Sequence, residues 1–306
     1  MVRSEAMVAT VNVNGRVFDH EHACVSVFDH GFLYGDGVYE TLRTHNGQPF
    51  LFDRHMRRLR QSADMLALEV PLTDRELDAR VRQTMRAAGL GGGDEEAYIR
   101  ILITRGVGDL SYDPAACPVP TIIVIIKPLV ELPRELFERG VKVALVSTIR
   151  NHPGSVSPVI KSNNLLNNAL AMQEAIRRGC FEGIMRNHRG ELAECATSNL
   201  FIVKDGVVLT PPAEAGLLAG TTREFLFDVG TEIGIPVREQ VLKDADLFGA
   251  DESFLTSSIR GVVPIVQVDD RPIDVGLPGP ITRSLLVAFR RNAEALTRLH
   301  ALELNT

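Results

Sequence analysis

Residues 155–179 read SVSPVIKSNNLLNNALAMQEAIRRG, and the interpretation of the whole chain starts from this stretch. Its single lysine, Lys161, precedes the cluster Ser162–Asn164, whose residue types commonly cap the start of a helix. Apolar residues at helical spacing follow, and Gly179 ends them. The pattern predicts that Lys161 lies at the end of a buried strand, against the positive end of a helix dipole.

An ammonium group in that position is disfavoured in its charged form, and a neutral lysine is a nucleophile toward carbonyl groups. Lys161 is therefore a candidate reactive residue. The segment alone fits a surface lysine in a loop better, because lysine is mostly exposed in proteins. The rest of the chain has to decide between the two.

Composition narrows the class of protein. A chain of 306 residues is long enough for two domains, and 45% hydrophobic with 24% charged residues is ordinary for a soluble globular protein. The net charge of −6, without a strongly basic block, argues against nucleic acid and anionic membranes as partners. The four cysteines are scattered without metal-ligand spacing, so no metal site is expected. With no membrane span or signal core in view, the interpretation is a cytoplasmic protein.

The N-terminal half opens with strands. Asn14-Gly15 and Asn46-Gly47 predict tight hairpins, as does Asp205-Gly206 in the second half of the chain, and a short strand is expected at Ala23–Val27. Val38–Thr44 alternates like a strand that presents polar groups to one face. That face is either the wall of a site or the polar side of an amphipathic strand. The candidates near or on it are Tyr34, Tyr39, Thr41 and Arg43.

Two amphipathic helices are predicted next, Asp53–Leu68 and Thr73–Ala88, the second with a capping box of Thr73 and Glu76. Strands follow at Ala97–Thr104 and Pro120–Ile126, and two prolines then mark a linker. The predicted division is a small α/β domain over residues 1–126, a linker over 127–137 and a larger, β-rich α/β domain over 138–306.

Two turns in the second half suit a phosphate. Thr221 and Thr222 open a predicted helix, where backbone amides favour anions. Ser257 and Ser258 stand in a polar turn after a predicted strand. Such residues are common in turns without ligands, so each signal gains weight only beside a reactive lysine.

Seven motifs in order give the chain a resemblance to the class IV aminotransferases, the fold-type IV enzymes that use pyridoxal 5'-phosphate. This family includes branched-chain and D-amino acid aminotransferases and aminodeoxychorismate lyases. The resemblance implies an α/β fold of two domains with the site between them. The motifs are YGDGVYETLR (34–43), HMRRL (55–59), AYIR (97–100), VIKSNNLL (159–166), ELAECATSNLF (191–201), GTTR (220–223) and FLTSSIRGVVP (254–264).

The resemblance implies a role for each matching residue. Lys161 matches the lysine that binds the cofactor as a Schiff base and moves the substrate proton. Glu194 matches the glutamate at the pyridine nitrogen, and Arg58 matches the phosphate-binding arginine. The remaining phosphate contacts fall on Thr221, Thr222, Ser257 and Ser258.

Substrate residues follow in the same way. The positions that line the substrate pocket of branched-chain enzymes are Tyr34, Tyr39, Arg43, Tyr98 and Arg100. Thr41 and Leu166 depart from those enzymes, which usually have glycine and tyrosine there. The run SSIRGVVP also resembles the lyases more than it resembles GTAAEITP, the run that typical branched-chain enzymes have at this place. Arg260 is hypothesised to add positive charge that favours an acidic substrate.

The resulting interpretation is a transaminase that moves an amino group from an amino acid, preferably an L-branched-chain one, to a 2-oxo acid such as 2-oxoglutarate by a ping-pong mechanism. The alternatives are a D-amino acid or (R)-amine transaminase and a 4-amino-4-deoxychorismate lyase. A small-molecule-binding or scaffold protein fits least, because Lys161 and Glu194 are both present. The resemblance also implies a homodimer.

Overall fold

The structure, a computed structural model, describes residues 8–91 and 95–303. The chain divides into two compact units. The first contains the chain up to Val130, the segment Ile160–Asn164 and the residues from Glu294 onward. The second contains Glu131–Val159 and Leu165–Ala293. Lys161 therefore belongs to the first unit, although the sequence-based division assigned it to the C-terminal domain.

The first unit contains an antiparallel sheet of six strands in the order β2-β1-β6-β5-β3-β4. One face of this sheet packs against two amphipathic helices, and buried aliphatic side chains fill the space between them. The strands are β1 Thr10–Val13, β2 Arg16–Asp19, β3 Gly37–His45, β4 Gln48–Pro49, β5 Ala97–Thr104 and β6 Thr121–Pro128, and the helices are α1 His30–Leu33, α2 Phe52–Met65 and α3 Asp74–Ala87.

The second unit contains a mixed sheet in the order β12-β11-β10-β13-β14-β7-β8-β9, with β15 paired to β14. Its strands are β7 Val141–Leu145, β8 Glu182–Arg186, β9 Leu192–Cys195, β10 Asn199–Lys204, β11 Val207–Thr210, β12 Val237–Glu239, β13 Glu252–Ser257, β14 Gly261–Val268 and β15 Arg271–Pro272. Its helices are α4 Arg134–Arg139, α5 Leu166–Arg177, α6 Thr221–Glu232 and α7 Asp244–Phe248, and helix α8 spans Pro280–Glu303.

Local sequence signals predicted several of these elements correctly. Asn14-Gly15 and Asn46-Gly47 both form two-residue hairpin turns with positive φ at each residue. Asp205-Gly206 does the same between β10 and β11. Helix α3 begins with the predicted capping box, because Thr73 and Glu76 bond each other's backbone amides.

The strand predicted at Ala23–Val27 is wrong. No strand forms there, and Val25 and Val27 are exposed in the described structure. Strand β6 also continues to Pro128, so one of the two prolines that marked the predicted linker lies within the sheet. Among the residues that the structure describes, no helix is long and apolar enough to cross a membrane.

Candidate active site

The segment that carries Lys161 is paired with strand β3 of the first unit. The amide of Tyr39 donates to the carbonyl of Lys161 at 3.0 Å. Two residues further on, the amide of Asn163 donates to the carbonyl of Gly37 at 2.8 Å. The backbone on both sides of the lysine is therefore held to a strand of the central sheet, as a short extra strand would be.

This pairing corrects the predicted helix cap. Helix α5 begins at Leu166, and its N-cap is Leu165, which makes no side-chain cap bond. Ser162 instead forms a β-bridge with Val38. The prediction that Ser162–Asn164 caps a helix is wrong because these residues are engaged by β3. The helix-dipole argument for Lys161 rested on that cap and therefore loses its local basis.

Helix α2 supplies a third anchor for the lysine. The amide of Lys161 donates to Ser62 Oγ at 3.1 Å, and Ser62 is buried on the inner face of the helix. Arg58, the predicted phosphate ligand, lies one turn earlier on the same helix. Helix α2 thus positions both the candidate reactive lysine, through Ser62, and the predicted phosphate ligand Arg58.

Gly37 is required by the closeness of this packing. A Cβ atom there would lie 2.6 Å from Asn163 Nδ2 and 2.7 Å from the carbonyl oxygen of Ile103. Only glycine lets the Lys161 segment approach β3 and β5 at this distance.

The Lys161 ammonium lies over an aromatic ring. Its Nζ is 4.3 Å from the centroid of Tyr39, and the guanidinium of Arg100 lies 4.2 Å from the same centroid. The ring faces attract both cations, so Tyr39 stabilises two positive charges close together. This tyrosine therefore fixes where the candidate reactive amine lies.

The predicted substrate residues on β3 and β5 share one face of the sheet. The register pairs Tyr39 with Leu102, Thr41 with Arg100, and Arg43 with Tyr98, and directly paired side chains point the same way. This face is half-buried except at Arg43, which is buried, whereas the apolar alternate residues of both strands belong to the core. The members on this face are Tyr39, Thr41, Arg43, Tyr98, Arg100 and Leu102.

Tyr34 lies elsewhere in the first unit. It ends the short helix α1, and its ring packs against His30 and Tyr112 at centroid distances of 4.9 and 5.0 Å. The described contacts therefore do not join it to the β3 and β5 group.

Arg58 belongs to a buried charged cluster. Its Nε donates to Glu40 Oε1 at 2.8 Å and its Nη2 to Glu40 Oε2 at 2.7 Å, which is a bidentate pair. His55 Nδ1 lies 2.6 Å from the same Oε2. Since a carboxylate only accepts, Nδ1 carries the hydrogen of this bond. Glu40 and His55 thus fix the plane of the Arg58 guanidinium.

Charge attraction decides the ionisation of this cluster. Burial alone would raise the pKa of the Glu40 carboxyl, but attraction from Arg58 and the hydrogen bonds of Arg58 and His55 hold it well below its usual range. Burial lowers the pKa of His55 despite the adjacent carboxylate, so the imidazole is neutral at neutral pH. The cluster is therefore one ion pair supported by a neutral donor.

In the second unit, Glu194 is held as a buried carboxylate at the end of β9. Arg150 Nε donates to its Oε1 at 2.7 Å, and the amide of Leu218 donates to its Oε2 at 3.2 Å. Asn199 Nδ2 lies 3.4 Å from the same Oε2 and donates to the Leu218 carbonyl at 2.9 Å. A carboxylate paired with arginine stays ionised and can accept a hydrogen bond from a further donor.

The predicted phosphate residues of this unit meet around the start of α6. Thr221 and Thr222 open the helix, and the N-cap is Gly220, which has no side chain to cap the first turn. A Cβ at Gly220 would lie 2.0 Å from Asn199 Oδ1, so the position requires glycine. Thr221 Oγ1 lies 3.2 Å from Ser258 Oγ, which joins the second predicted turn to the first.

Arg260 has a different environment from the one hypothesised. Its Nη2 lies 2.8 Å from Glu182 Oε2, and this carboxylate is fully buried. The guanidinium also donates to Thr197 Oγ1 at 2.6 Å and to Ser257 Oγ at 3.1 Å. Its charge is therefore compensated within the unit, which weakens the argument that it attracts an acidic substrate.

These residues fit pyridoxal phosphate in their chemistry. An uncapped helix start with converging hydroxyls suits a phosphate, and the ionised Glu194 suits a protonated pyridine nitrogen. Lys161 offers a primary amine for the aldehyde. Within the described ranges, no group of three or more His, Cys, Asp or Glu residues is placed to hold a metal ion.

Comparison with known proteins identifies the family. The sequence matches the family described as amino-transferase class IV over residues 37–268. A provisionally named branched-chain-amino-acid aminotransferase of Methanocaldococcus jannaschii is 40% identical over 280 residues, which cover 92% of this chain and 95% of the relative. A D-alanine aminotransferase of Staphylococcus haemolyticus is 32% identical over 286 residues, which cover 93% and 98%.

Among solved structures, a branched-chain amino acid aminotransferase from T.th. with pyridoxamine 5'-phosphate has a TM-score of 0.88 at 27% identity. The similarity covers 95% of this chain and 96% of that one. This chain belongs to the class IV aminotransferases and has the fold-type IV architecture of their branched-chain members. It is an aminotransferase that uses pyridoxal 5'-phosphate.

The sequence interpretation missed the residues that hold the predicted site residues in place. Glu40 could have been found, because it lies on the apolar face of an alternating strand, where an acid needs a buried partner. Ser62, Arg150 and Glu182 gave no local signal that distinguishes them from ordinary helix or strand residues.

Proposed function

We propose that this aminotransferase transfers the amino group of L-branched-chain amino acids to 2-oxoglutarate by a ping-pong mechanism. The observation that carries the proposal is the order of side chains along the half-buried face of β3 and β5. Next to Lys161 the pair Tyr39 and Leu102 is aromatic and aliphatic. The next two pairs along the strands bring in Arg100 and Arg43.

This order suits both substrates of the reaction. An aliphatic side chain packs against Tyr39 and Leu102 without leaving a polar group unpaired. The second carboxylate of 2-oxoglutarate reaches further along the face, where Arg100 offers a planar donor. A single face can therefore accept an apolar donor and an acidic acceptor.

The chain's own residues divide the chemistry as follows. Pyridoxal phosphate, when bound, supplies the electron sink for the bond broken at the substrate Cα. Lys161 Nζ removes the proton from Cα and returns it on the cofactor side, and Tyr39 holds that amine in place. Glu194 accepts the hydrogen of the pyridine nitrogen while Arg150 keeps the carboxylate ionised. Arg58, Thr221, Thr222 and Ser258 hold the phosphate.

A second candidate, D-amino acid transamination, is favoured by one comparison. D-alanine aminotransferases are about as long as this chain and at least 32% identical to it over nearly their whole length. Because the hydrogen on Cα must face Lys161 Nζ in both reactions, the two candidates differ in which position the substrate carboxylate occupies and which position its side chain occupies.

The deciding experiment mixes the purified holoprotein with L-leucine or D-alanine and no acceptor. L-leucine alone should convert the visible absorption of the bound cofactor to that of pyridoxamine phosphate. Conversion by D-alanine alone would establish the second candidate instead. No conversion by either would refute both and make aminodeoxychorismate the next substrate to test. Lys161→Ala should show neither the original absorption nor the conversion.

A matched pair of variants tests the role of Arg100. Arg100→Met should raise KM for 2-oxoglutarate by about tenfold or more, because a hydrogen-bonded charge pair is lost. KM for 4-methyl-2-oxopentanoate should stay within about twofold, because an apolar side chain gains nothing from the guanidinium. Lys127→Met is the control, since Lys127 lies over Tyr98 on the same side but is exposed. Equal effects on both oxo acids would contradict the assignment.

Initial rates that give parallel double-reciprocal lines would support the ping-pong order. The predicted homodimer is tested by light scattering of the holoprotein at several concentrations. The cytoplasmic location stays a prediction of the sequence.

A further inference from the structure

Ser257, the last residue of β13, has a hydroxyl group whose acceptor positions are both occupied. Ser257 Oγ accepts from the backbone amide of Arg260 at 3.3 Å and from the Arg260 Nε at 3.1 Å. A serine hydroxyl has two acceptor positions and a single hydrogen. Since one arginine takes both positions, the hydrogen of Ser257 must point away from it.

The arginine that imposes this orientation is itself fixed. Glu182 Oε2 lies 2.8 Å from Arg260 Nη2, outside good hydrogen-bond geometry, so the two are held by charge attraction. Arg260 Nη2 also donates to Thr197 Oγ1 at 2.6 Å, and that hydroxyl donates to Glu182 Oε1 at 2.8 Å. The amide of Thr197 donates to the same carboxylate oxygen.

The charge of Arg260 is balanced by a carboxylate of the same unit. Glu182 is fully buried, and an unpaired carboxylate in such a position is strongly disfavoured. The ring of Phe181, 5.2 Å from the guanidinium carbon, covers another side of the arginine. Arg260 thus donates from Nε to Ser257 and from Nη2 to Thr197, and Glu182 balances its charge.

We propose that Arg260 is a positioning residue, which holds Ser257 Oγ so that its hydroxyl hydrogen is donated to a phosphate oxygen of the bound cofactor. The neighbouring residue supports this choice of acceptor. Ser258 Oγ lies 3.2 Å from Thr221 Oγ1, at the uncapped start of α6. The turn therefore lies where backbone amides favour an anion. The inference rests on the proposed binding of the phosphate by this turn and is independent of the amino acid substrate.

The test compares two ligands that differ only in the phosphate. Apoprotein is titrated with pyridoxal 5'-phosphate and with pyridoxal, and the dissociation constants are read from the absorbance of the bound ligand. The dissociation constant for pyridoxal divided by that for pyridoxal 5'-phosphate isolates the phosphate contribution, because both ligands share the ring and the aldehyde. The readout needs no turnover.

Ser257→Ala should reduce this ratio by about 10- to 100-fold, the effect of one hydrogen bond to a charged group. Ser257→Thr keeps the hydroxyl and should restore most of the ratio. The Arg260–Glu182 pair stays intact in both variants, so folding is not at risk from a buried charge. An unchanged ratio in Ser257→Ala would overturn the proposal.

Arg260 is tested by its dependence on Ser257. Arg260→Gln combined with Glu182→Gln avoids an uncompensated carboxylate and should lower the ratio by about threefold to tenfold, because a freed hydroxyl donates only part of the time. In a Ser257→Ala background the same pair of changes should have no further effect on the ratio. A purely structural role of Arg260 would lower affinity for both ligands equally and would persist in that background.

A further arm separates the cofactor phosphate from a substrate carboxylate as the acceptor. If Ser257 donates to the substrate, Ser257→Ala would raise KM for 2-oxo acids while the ratio of dissociation constants stays unchanged. That result would refute the proposal and leave the aminotransferase function intact. Conversely, failure of L-leucine to convert the cofactor would refute the proposed substrate and leave the ligand ratio informative.

Discussion

Removing the charge of Glu40 should destabilise helix α2 strongly. Glu40 is fully buried, and its two oxygens hold Arg58 and His55 at 2.6 to 2.8 Å. Glu40→Gln keeps the size of the side chain but leaves the Arg58 guanidinium buried without its counter-charge. Breaking a buried ion pair on one side typically costs about 3–5 kcal/mol. The variant should therefore lose that much local stability.

Native-state hydrogen exchange is the appropriate assay, because a chain with two compact units need not unfold in one step. At about 1.4 kcal/mol for each tenfold change, the amides of α2 should exchange roughly 100 to several thousand times faster in Glu40→Gln. Glu138→Gln is the matched control, since its partner Arg134 is 88% exposed, and it should change exchange rates by less than about threefold.

The pH dependence provides a second check. The pKa of Glu40 is lowered in the folded protein, so its stabilisation is fully present above the unfolded value of 4.5 and is lost as the pH falls below it. The ratio of exchange rates between variant and wild type should be constant near neutral pH and shrink in acid. The ion-pair reasoning is refuted if Glu40→Gln matches Glu138→Gln, or if adding Arg58→Met to Glu40→Gln does not recover part of the lost stability.

Three further changes test how the other site residues are held. Ser62→Ala removes the acceptor for the Lys161 amide, so exchange of the amides in Ile160–Asn164 should rise by about 2- to 13-fold, the effect of one net hydrogen bond, while Ser284→Ala leaves them unchanged. Gly37→Ala places a Cβ 2.6 Å from Asn163 Nδ2 and should lower the free energy of unfolding by about 1–3 kcal/mol, whereas Gly154→Ala in an exposed loop should stay within about 0.5 kcal/mol; equal effects would contradict the packing argument. Arg150→Met leaves Glu194 buried without its ion-pair partner and should weaken pyridoxal phosphate binding about tenfold or more, measured by titration of apoprotein; Arg189→Met, at an exposed pair, should bind normally.

Sequence alone predicted the features whose cause lies within a few residues. The three Asn-Gly and Asp-Gly hairpins, the capping box at Thr73 and the helix start at Thr221 all follow from local backbone chemistry. The family resemblance predicted which residues are candidates for the site, but it did not predict which groups surround each of them. Hydrogen-bond partners far along the chain set that environment.

Ser162–Asn164 shows why the remaining features could not be predicted. Polar side chains that favour a helix cap are equally able to accompany a strand, and the partner strand β3 lies more than a hundred residues earlier in the sequence. The prediction of a strand at Ala23–Val27 was wrong for a related reason. Alternation of apolar and polar residues shows that a segment is able to pair, but it does not show that a partner strand is present. Arg260 was assigned a free charge because Glu182 is distant in sequence and close in space.

The cations of the candidate site fall into two groups that imply two kinds of role. Arg58, Arg150 and Arg260 each pair with a buried carboxylate, respectively Glu40, Glu194 and Glu182.

Such pairs fix the geometry of both partners and cancel most of the charge, which suits rigid donors and acceptors for a resident cofactor. Lys161 and Arg100 instead share the ring of Tyr39, and no carboxylate pairs with either within residues 8–91 and 95–303. A ring attracts a cation without pairing it with an opposite charge, so the Lys161 amine stays available for reaction and the Arg100 guanidinium for binding a carboxylate. Tyr39→Leu should therefore impair turnover while leaving the affinity for pyridoxal phosphate within about threefold, because the phosphate and pyridine contacts are held by the other group. A loss of cofactor affinity equal to that of Arg150→Met would show that the two groups are not separate in function.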